Sequence, residues 1–123
     1  MQVDKLLEDF KVPSSITSES VKEFLACAEE DFKKSHLSGG QGAVIVVEYT
    51  RLIDALLRLL FEKFSMELKI KTDCAFVAVG GYGRGELNIR SDIDLTLLYK
   101  QKITPKIEEL TQKILYILWD AGL

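Results

Sequence analysis

Apolar residues in the first half of the chain recur every three or four positions, and in the second half that period twice gives way to short strand-like runs. Val3, Leu6, Leu7 and Phe10 form a short amphipathic piece that Pro13 closes. Ser18 ahead of Val21 predicts the start of a longer helix, with Glu19 in the first turn, where the macrodipole favours an acid. Its apolar stripe is Val21, Phe24, Leu25, Ala28 and Phe32; Lys22, Glu23, Glu29, Glu30 and Lys33 lie opposite, and the helix fades near Leu37. Ser38-Gly39-Gly40-Gln41-Gly42 breaks the pattern. Val44, Val47, Leu52, Ala55, Leu56, Leu59, Leu60 and Phe64 then predict one long helix over about Gln41 to Lys63, although Ala43 to Val47 would also suit the opening of a buried strand. The gap and the two stripes together describe a pair of antiparallel helices.

The period changes after Lys71. Cys74-Ala75-Phe76-Val77-Ala78-Val79 reads as a buried strand feeding the turn Gly80-Gly81, and Ser91 to Tyr99 reads as a second strand. Thr104 and Pro105 suit the cap and first turn of a last helix, lined by Ile107, Leu110, Ile114, Ile117 and Leu118, widened by Leu115 and Trp119, and stopped at Gly122. The order is helices, strand, glycine loop, strand, helix, an α+β pattern. We divide it into a helical region, 1–65, and the first part of a mixed domain, 66–123. Two strands alone are too few for a stable sheet, so helices must cover them.

Composition adds exclusions. At 123 residues, 47% hydrophobic and 28% charged, the chain is an ordinary globular length and mix, without repeats or low complexity. The net charge of −3 argues against nucleic-acid strands as partners, since these require a basic footprint. Cys27 and Cys74 stand far apart without a C-x-x-C, which suits neither a disulfide scaffold nor a zinc site and fits a reducing, cytoplasmic compartment. Met1 to Phe10 lacks the order of a signal peptide, and Leu52 to Phe61, the most apolar stretch, is too short to span a bilayer and is broken by Asp54 and Arg58. No membrane association is expected. The apolar helix faces, Leu52, Leu56, Leu59 and Leu60 above all, offer a route to a homo-oligomer.

Chemistry concentrates in Gly80-Gly81-Tyr82-Gly83-Arg84-Gly85-Glu86-Leu87 and Ser91-Asp92-Ile93-Asp94. Asp92 and Asp94, two apart on a strand, project from one face. Paired carboxylates repel unless a cation sits between them, and magnesium, held by one or two carboxylates plus substrate phosphates, is the natural filler. The glycines permit close backbone approach and an anion-binding concavity, and Arg84 adds a forked cation suited to phosphate oxygens. No Gly-Lys-Ser/Thr follows, so this is not a Walker loop. Tyr82 could stack on a base or pack against the loop. Glu86 suits an ion pair with Arg84 or Arg90. The lone His36, Cys74, Trp119 and the acidic run Glu29-Glu30-Asp31 suit surface, core, core or interface, and solvated roles in turn.

Apolar strand, Gly-Gly, spacer and Asp-apolar-Asp resemble the nucleotidyltransferase signature of the DNA polymerase β-like superfamily. Within it, Gly80 to Leu87, Ser91 to Leu95 and Ile114 to Leu123 resemble the bacterial PII uridylyltransferase/uridylyl-removing enzymes, over about Phe76 to Leu123. Upstream, Tyr49 to Asp54 is compatible but far less diagnostic. The glutamine-synthetase adenylyltransferases share the Ser-Asp-Ile-Asp step and rank second. The resemblance implies that Gly80 and Gly81 hold a nucleoside triphosphate, that Arg84 and Ser91 contact phosphate, and that Asp92 and Asp94 are catalytic and ligate Mg2+. It further implies transfer of UMP from UTP to a tyrosine of the nitrogen-signalling PII protein. The superfamily's third carboxylate comes from a later strand, and Glu86 and Asp120 are poor substitutes. That departure leads us to expect an incomplete, weakly active or inactive fragment, with a non-catalytic nucleotide-binding or interaction module as the other reading.

Overall fold

The computed structural model describes residues 16–37, 39, 42–70, 74–87 and 92–123. The expected short helix at Val3–Phe10, Ser91, Arg90 and the side chain of His36 lie outside the described residues. The elements are α1 (Ser18–Leu37), α2 (Gly42–Glu67), β1 (Cys74–Ala78), the single turn α3 (Gly80–Gly83), β2 (Leu95–Tyr99) and α4 (Pro105–Asp120). The α+β architecture is the expected one.

Local signals set most of the helix ends. Thr17, one residue before the expected Ser18, caps α1: its Oγ1 accepts from Ser20 N at 3.1 Å, and Ser20 Oγ accepts from Thr17 N at 2.9 Å. Thr104 caps α4, accepting from Ile107 N at 3.3 Å, with Pro105 opening the helix. The far end of α4 closes as a Schellman turn: Gly122 adopts φ +87°, Leu123 N donates to Leu118 O at 2.8 Å, and Gly122 N donates to Trp119 O at 3.0 Å. The end of α2 has the same bond pattern, Ile70 N to Ser65 O at 2.9 Å and Lys69 N to Met66 O at 3.2 Å. Here Lys69, not a glycine, takes the left-handed position at φ +55°.

Helices α1, α2 and α4 pack on one another, and the sheet lies against them. Val21, Phe24, Ala28 and Phe32 of α1 meet Tyr49, Leu52, Ile53, Leu56, Leu60 and Phe64 of α2, and Leu110, Ile114 and Leu118 of α4 close the cluster. Phe32 meets Tyr49 edge-on at 5.7 Å, and Phe61 meets Phe76 of β1 in the same way at 5.7 Å. Leu52, Leu56 and Leu60 are fully buried in this core, so the oligomer surface expected of them is already filled within one chain. Val44 and Val47 are exposed, because close burial on α2 begins at Tyr49. Trp119 is exposed rather than core: it lies past the edge of the α4 stripe, against Tyr116. Cys27 and Cys74 are not joined in a disulfide, and Cys74 is half-buried against the core as expected.

β1 and β2 pair antiparallel, with Ala78 opposite Leu95 and Cys74 opposite Tyr99. Cys74, Phe76, Ala78 and Leu95 face the helices, while Ala75, Val77, Thr96 and Leu98 face outward. Helical cover on one face supplies what a two-stranded sheet lacks by itself. No helix among the described residues is long and apolar enough to cross a membrane.

Candidate active site

The regular strand β2 begins at Leu95, four residues after the expected Ser91, but antiparallel pairing extends ahead of it. Val79 N donates to Asp94 O at 3.0 Å, one step beyond the Ala78–Leu95 pair. The alternation runs through this lead-in: Ile93 and Leu95 pack on the core, while Asp92, Asp94 and Thr96 are exposed. Both carboxylates therefore stand on the open face of the sheet. Neither has an ion-pair partner among the described residues.

The glycine loop is one helical turn rather than an open nest. Gly80 turns the chain out of β1 at φ +61°. Gly83 N then bonds Val79 O, Arg84 N bonds Gly80 O, Gly85 N bonds Tyr82 O and Glu86 N bonds Gly81 O, all at 2.9–3.1 Å. Those four donors are spent within the turn. The N–H groups of Gly80, Gly81 and Tyr82 precede them and make no intrahelical bond, as at any helix start.

Two of the glycines are dictated by close neighbours. A Cβ at Gly83 would lie 2.8 Å from the carbonyl oxygen of Ala78, and one at Gly80 would lie 3.0 Å from Asp94 Oδ2. The second contact joins the two halves of the constellation: the Asp94 carboxylate rests over the Gly80 backbone. Arg84 and Glu86 form the expected ion pair, Nε to Oε2 at 3.4 Å, with both side chains about two-thirds exposed. At that exposure the pair adds at most about 1 kcal/mol and leaves guanidinium donors available. Asp120 is engaged elsewhere, accepting from Ser18 Oγ at 3.1 Å and so joining the start of α1 to the end of α4. No group of three His, Cys, Asp or Glu able to hold a metal occurs among the described residues.

Tyr82 points inward. It is 5% exposed, and its hydroxyl donates to Asp54 Oδ1 of α2 at 2.6 Å. Burial, foremost, then the hydrogen bond and charge of Asp54, push the phenol pKa well above its usual value, and nearby Arg58 opposes the shift. One turn back on α2, the buried Thr50 Oγ1 accepts from Leu87 N at 3.0 Å and donates to Val46 O at 2.8 Å. Thr50 and Asp54 lie in the upstream segment that is compatible with the resemblance, where the sequence assigns neither a site role. Their spacing of four is the signal that they share one helix face. Beside them lies a cavity of about 320 Å³ lined by Asp54, Arg58, Phe61, Phe76, Tyr82 and Leu95, among others.

A family profile described as "Putative nucleotidyltransferase DUF294" matches residues 29–123. The chain belongs to this nucleotidyltransferase family. Among curated proteins it is similar to the bifunctional uridylyltransferase/uridylyl-removing enzyme of Rhodospirillum rubrum, 40% identical over a 90-residue alignment that covers 68% of this chain and 10% of that protein. The enzyme of the same name from Photobacterium profundum is 35% identical over 109 residues, covering 89% of this chain and 12% of the relative. That from Psychrobacter cryohalolentis is 36% identical over 103 residues, covering 84% and 11%. The DUF294 chain thus spans about a tenth of the length of these relatives. No solved structure matches it. The profile takes in α2 as well as the Gly80–Asp94 segment, so the helix that carries Thr50 and Asp54 falls within the family's matched region.

Proposed function

We propose that this DUF294 domain serves transfer of a uridylyl group from UTP to a tyrosine hydroxyl of a PII signalling protein. The observation that carries the reading is the placement of Asp94 over the Gly80 turn, with Asp92 on the same open face. Carboxylate oxygens and a turn with unspent N–H groups then lie side by side, which suits a metal–triphosphate complex. The relatives' names supply uridylyl as the group.

Two exposed carboxylates on one face, with no ion-pair partner among the described residues, are a hard oxygen donor set that fits Mg2+, which keeps further positions for phosphate oxygens and water. Asp92 and Asp94 would hold it, and when bound it supplies charge neutralisation at the α-phosphate and the leaving group. Gly80 and Gly81 present backbone N–H groups to the phosphates, Arg84 adds a forked cation at the loop's rim, and Ser91 adds a weaker contact. In the reaction the tyrosine oxygen bonds to the α-phosphorus, the bond to the bridging oxygen of the β-phosphate breaks, pyrophosphate leaves, and the phenol proton is released. With no third acid beside the pair among the described residues, the 123-residue chain by itself is expected to bind better than it transfers.

Calorimetric titration with UTP and with ATP, each with Mg2+, tests the reading. Saturable UTP binding that disappears in Asp92→Asn/Asp94→Asn is the expected result. Preference for ATP would favour adenylyl transfer, and binding of neither nucleotide would overturn the proposal. Incubation with PII, UTP and Mg2+ adds the transfer step, expected to be slow.

A further inference from the structure

We infer that Asp54 of α2, through its hydrogen bond to Tyr82, is a positioning residue for the nucleotide site, with Thr50 holding the loop's other end. The inference rests on the nucleotidyltransferase reading above but concerns residues on a different element. α2 grips the loop twice on one face. Asp54 takes the Tyr82 hydroxyl at 2.6 Å, in the middle of the turn, and Thr50 takes Leu87 N at 3.0 Å, just after it.

The turn has little freedom of its own. Gly83 sits so close to Ala78 O that no Cβ fits, and Gly80 abuts the Asp94 carboxylate. A shift of Tyr82 therefore moves Gly80 and Gly81, and with them the N–H groups and the contact to Asp94. The cavity of about 320 Å³ explains why a single hydrogen bond matters here. Tyr82 lines it, so packing on that side leaves the ring room to move, and the bond to Asp54 selects its position. The bond joins a hydroxyl to a carboxylate, the stronger class of hydrogen bond, and Arg58 one turn further on lines the same cavity. The Asp54 carboxylate is engaged by the buried Tyr82 hydroxyl, so its role is assigned through Tyr82 rather than through the metal.

Tyr82→Phe, Asp54→Ala and the double variant test this in the 123-residue chain. Each is measured for Mg–UTP affinity, for urea stability and for amide hydrogen exchange at Gly83, Arg84 and Leu87, whose N–H groups are hydrogen-bonded. The expected result is an affinity loss of about tenfold in each single variant, with no further loss in the double variant, because both remove one interaction. Exchange at the loop amides should rise while the amides of Leu56 and Ile114 keep their protection relative to global stability. Thr50→Val should raise exchange at Leu87 most. Additive losses, wild-type affinity in Tyr82→Phe, or loop exchange that changes only in step with global unfolding would each overturn the inference. If the wild-type chain binds no nucleotide, the functional reading falls separately. The exchange data then decide whether Asp54 holds the turn: unchanged loop exchange refutes it, and a local increase confines its role to loop order.

Discussion

On one face of the β1–β2 sheet Phe76, Ala78, Ile93 and Leu95 pack into the core shared with α2 and α4; on the other Val77, Val79, Asp92, Asp94 and Leu98 stand exposed. The glycine turn crosses between them, with Tyr82 buried on the helical side and Gly80 meeting Asp94 on the open side. The packed face is held by apolar burial, and the turn beside it by two hydrogen bonds that Asp54 and Thr50 of α2 accept. The open face carries the groups suited to chemistry, and little in the described residues holds their carboxylates beyond the strand itself. Stability and site chemistry are thus separated across one sheet, and the turn is where they are coupled.

The largest effect should come from the packed side. Leu56→Ala removes a fully buried side chain and should cost about 2–5 kcal/mol in urea denaturation. Leu98→Ala on the open face should stay within about 0.5 kcal/mol of wild type, and equal losses would break the comparison. Next comes Asp94→Asn. It should lower Mg–UTP affinity by about a hundredfold, or about 2.7 kcal/mol, while leaving the melting temperature unchanged or slightly raised as carboxylate repulsion is relieved. A stability loss matching the affinity loss would show that Asp94 supports the fold instead.

Gly83→Ala forces a Cβ against Ala78 O and should cost about 1–3 kcal/mol, with nucleotide affinity falling in parallel because the turn must shift. The neighbouring Gly85 has positive φ but open space around it, so Gly85→Ala should cost less; the reverse order by thermal denaturation would count against the close approach as the cause.

Tyr82 gives a pH-dependent test. Its folded pKa is raised, so its contribution is fully present below the unfolded value of about 10 and is lost as pH climbs toward the folded value. Stability should therefore fall more steeply above pH 10 in wild type than in Tyr82→Phe, by up to about 1.4 kcal/mol per pH unit. Parallel alkaline profiles would place Tyr82 in a wetter setting than the one described. The smallest effect is a gain: Lys69→Gly relieves a left-handed lysine at the end of α2 and should add about 0.5–1 kcal/mol, with no change in nucleotide binding.

Much of this molecule was legible before any coordinates. The stripes of α1 and α4, the Thr104-Pro105 start and the Gly122 stop are local signals, and local signals determine local structure where burial does not contradict them. The Asp-Ile-Asp alternation placed both carboxylates on one face because a strand's side-chain period is fixed by backbone geometry. Trp119 and Val44 went the other way. Periodicity marks which residues could join an apolar face, while the reach of the neighbouring elements decides which of them are covered.

The sequence by itself determined the order of the long helices and the strands, the two ends of α4, the kind of chemistry the Gly80–Asp94 segment suits, and the resemblance that the family comparison upheld. Tertiary structure alone decided that Tyr82 turns inward, that Asp54 and Thr50 grip the loop from 28 and 37 residues upstream of their partners, and that Asp94 rests over Gly80. The reason is physical. Periodicity and capping act within a few residues, whereas a buried hydroxyl takes whichever acceptor folding brings to it. That partner is a property of packing, and no spacing along the chain encodes it directly.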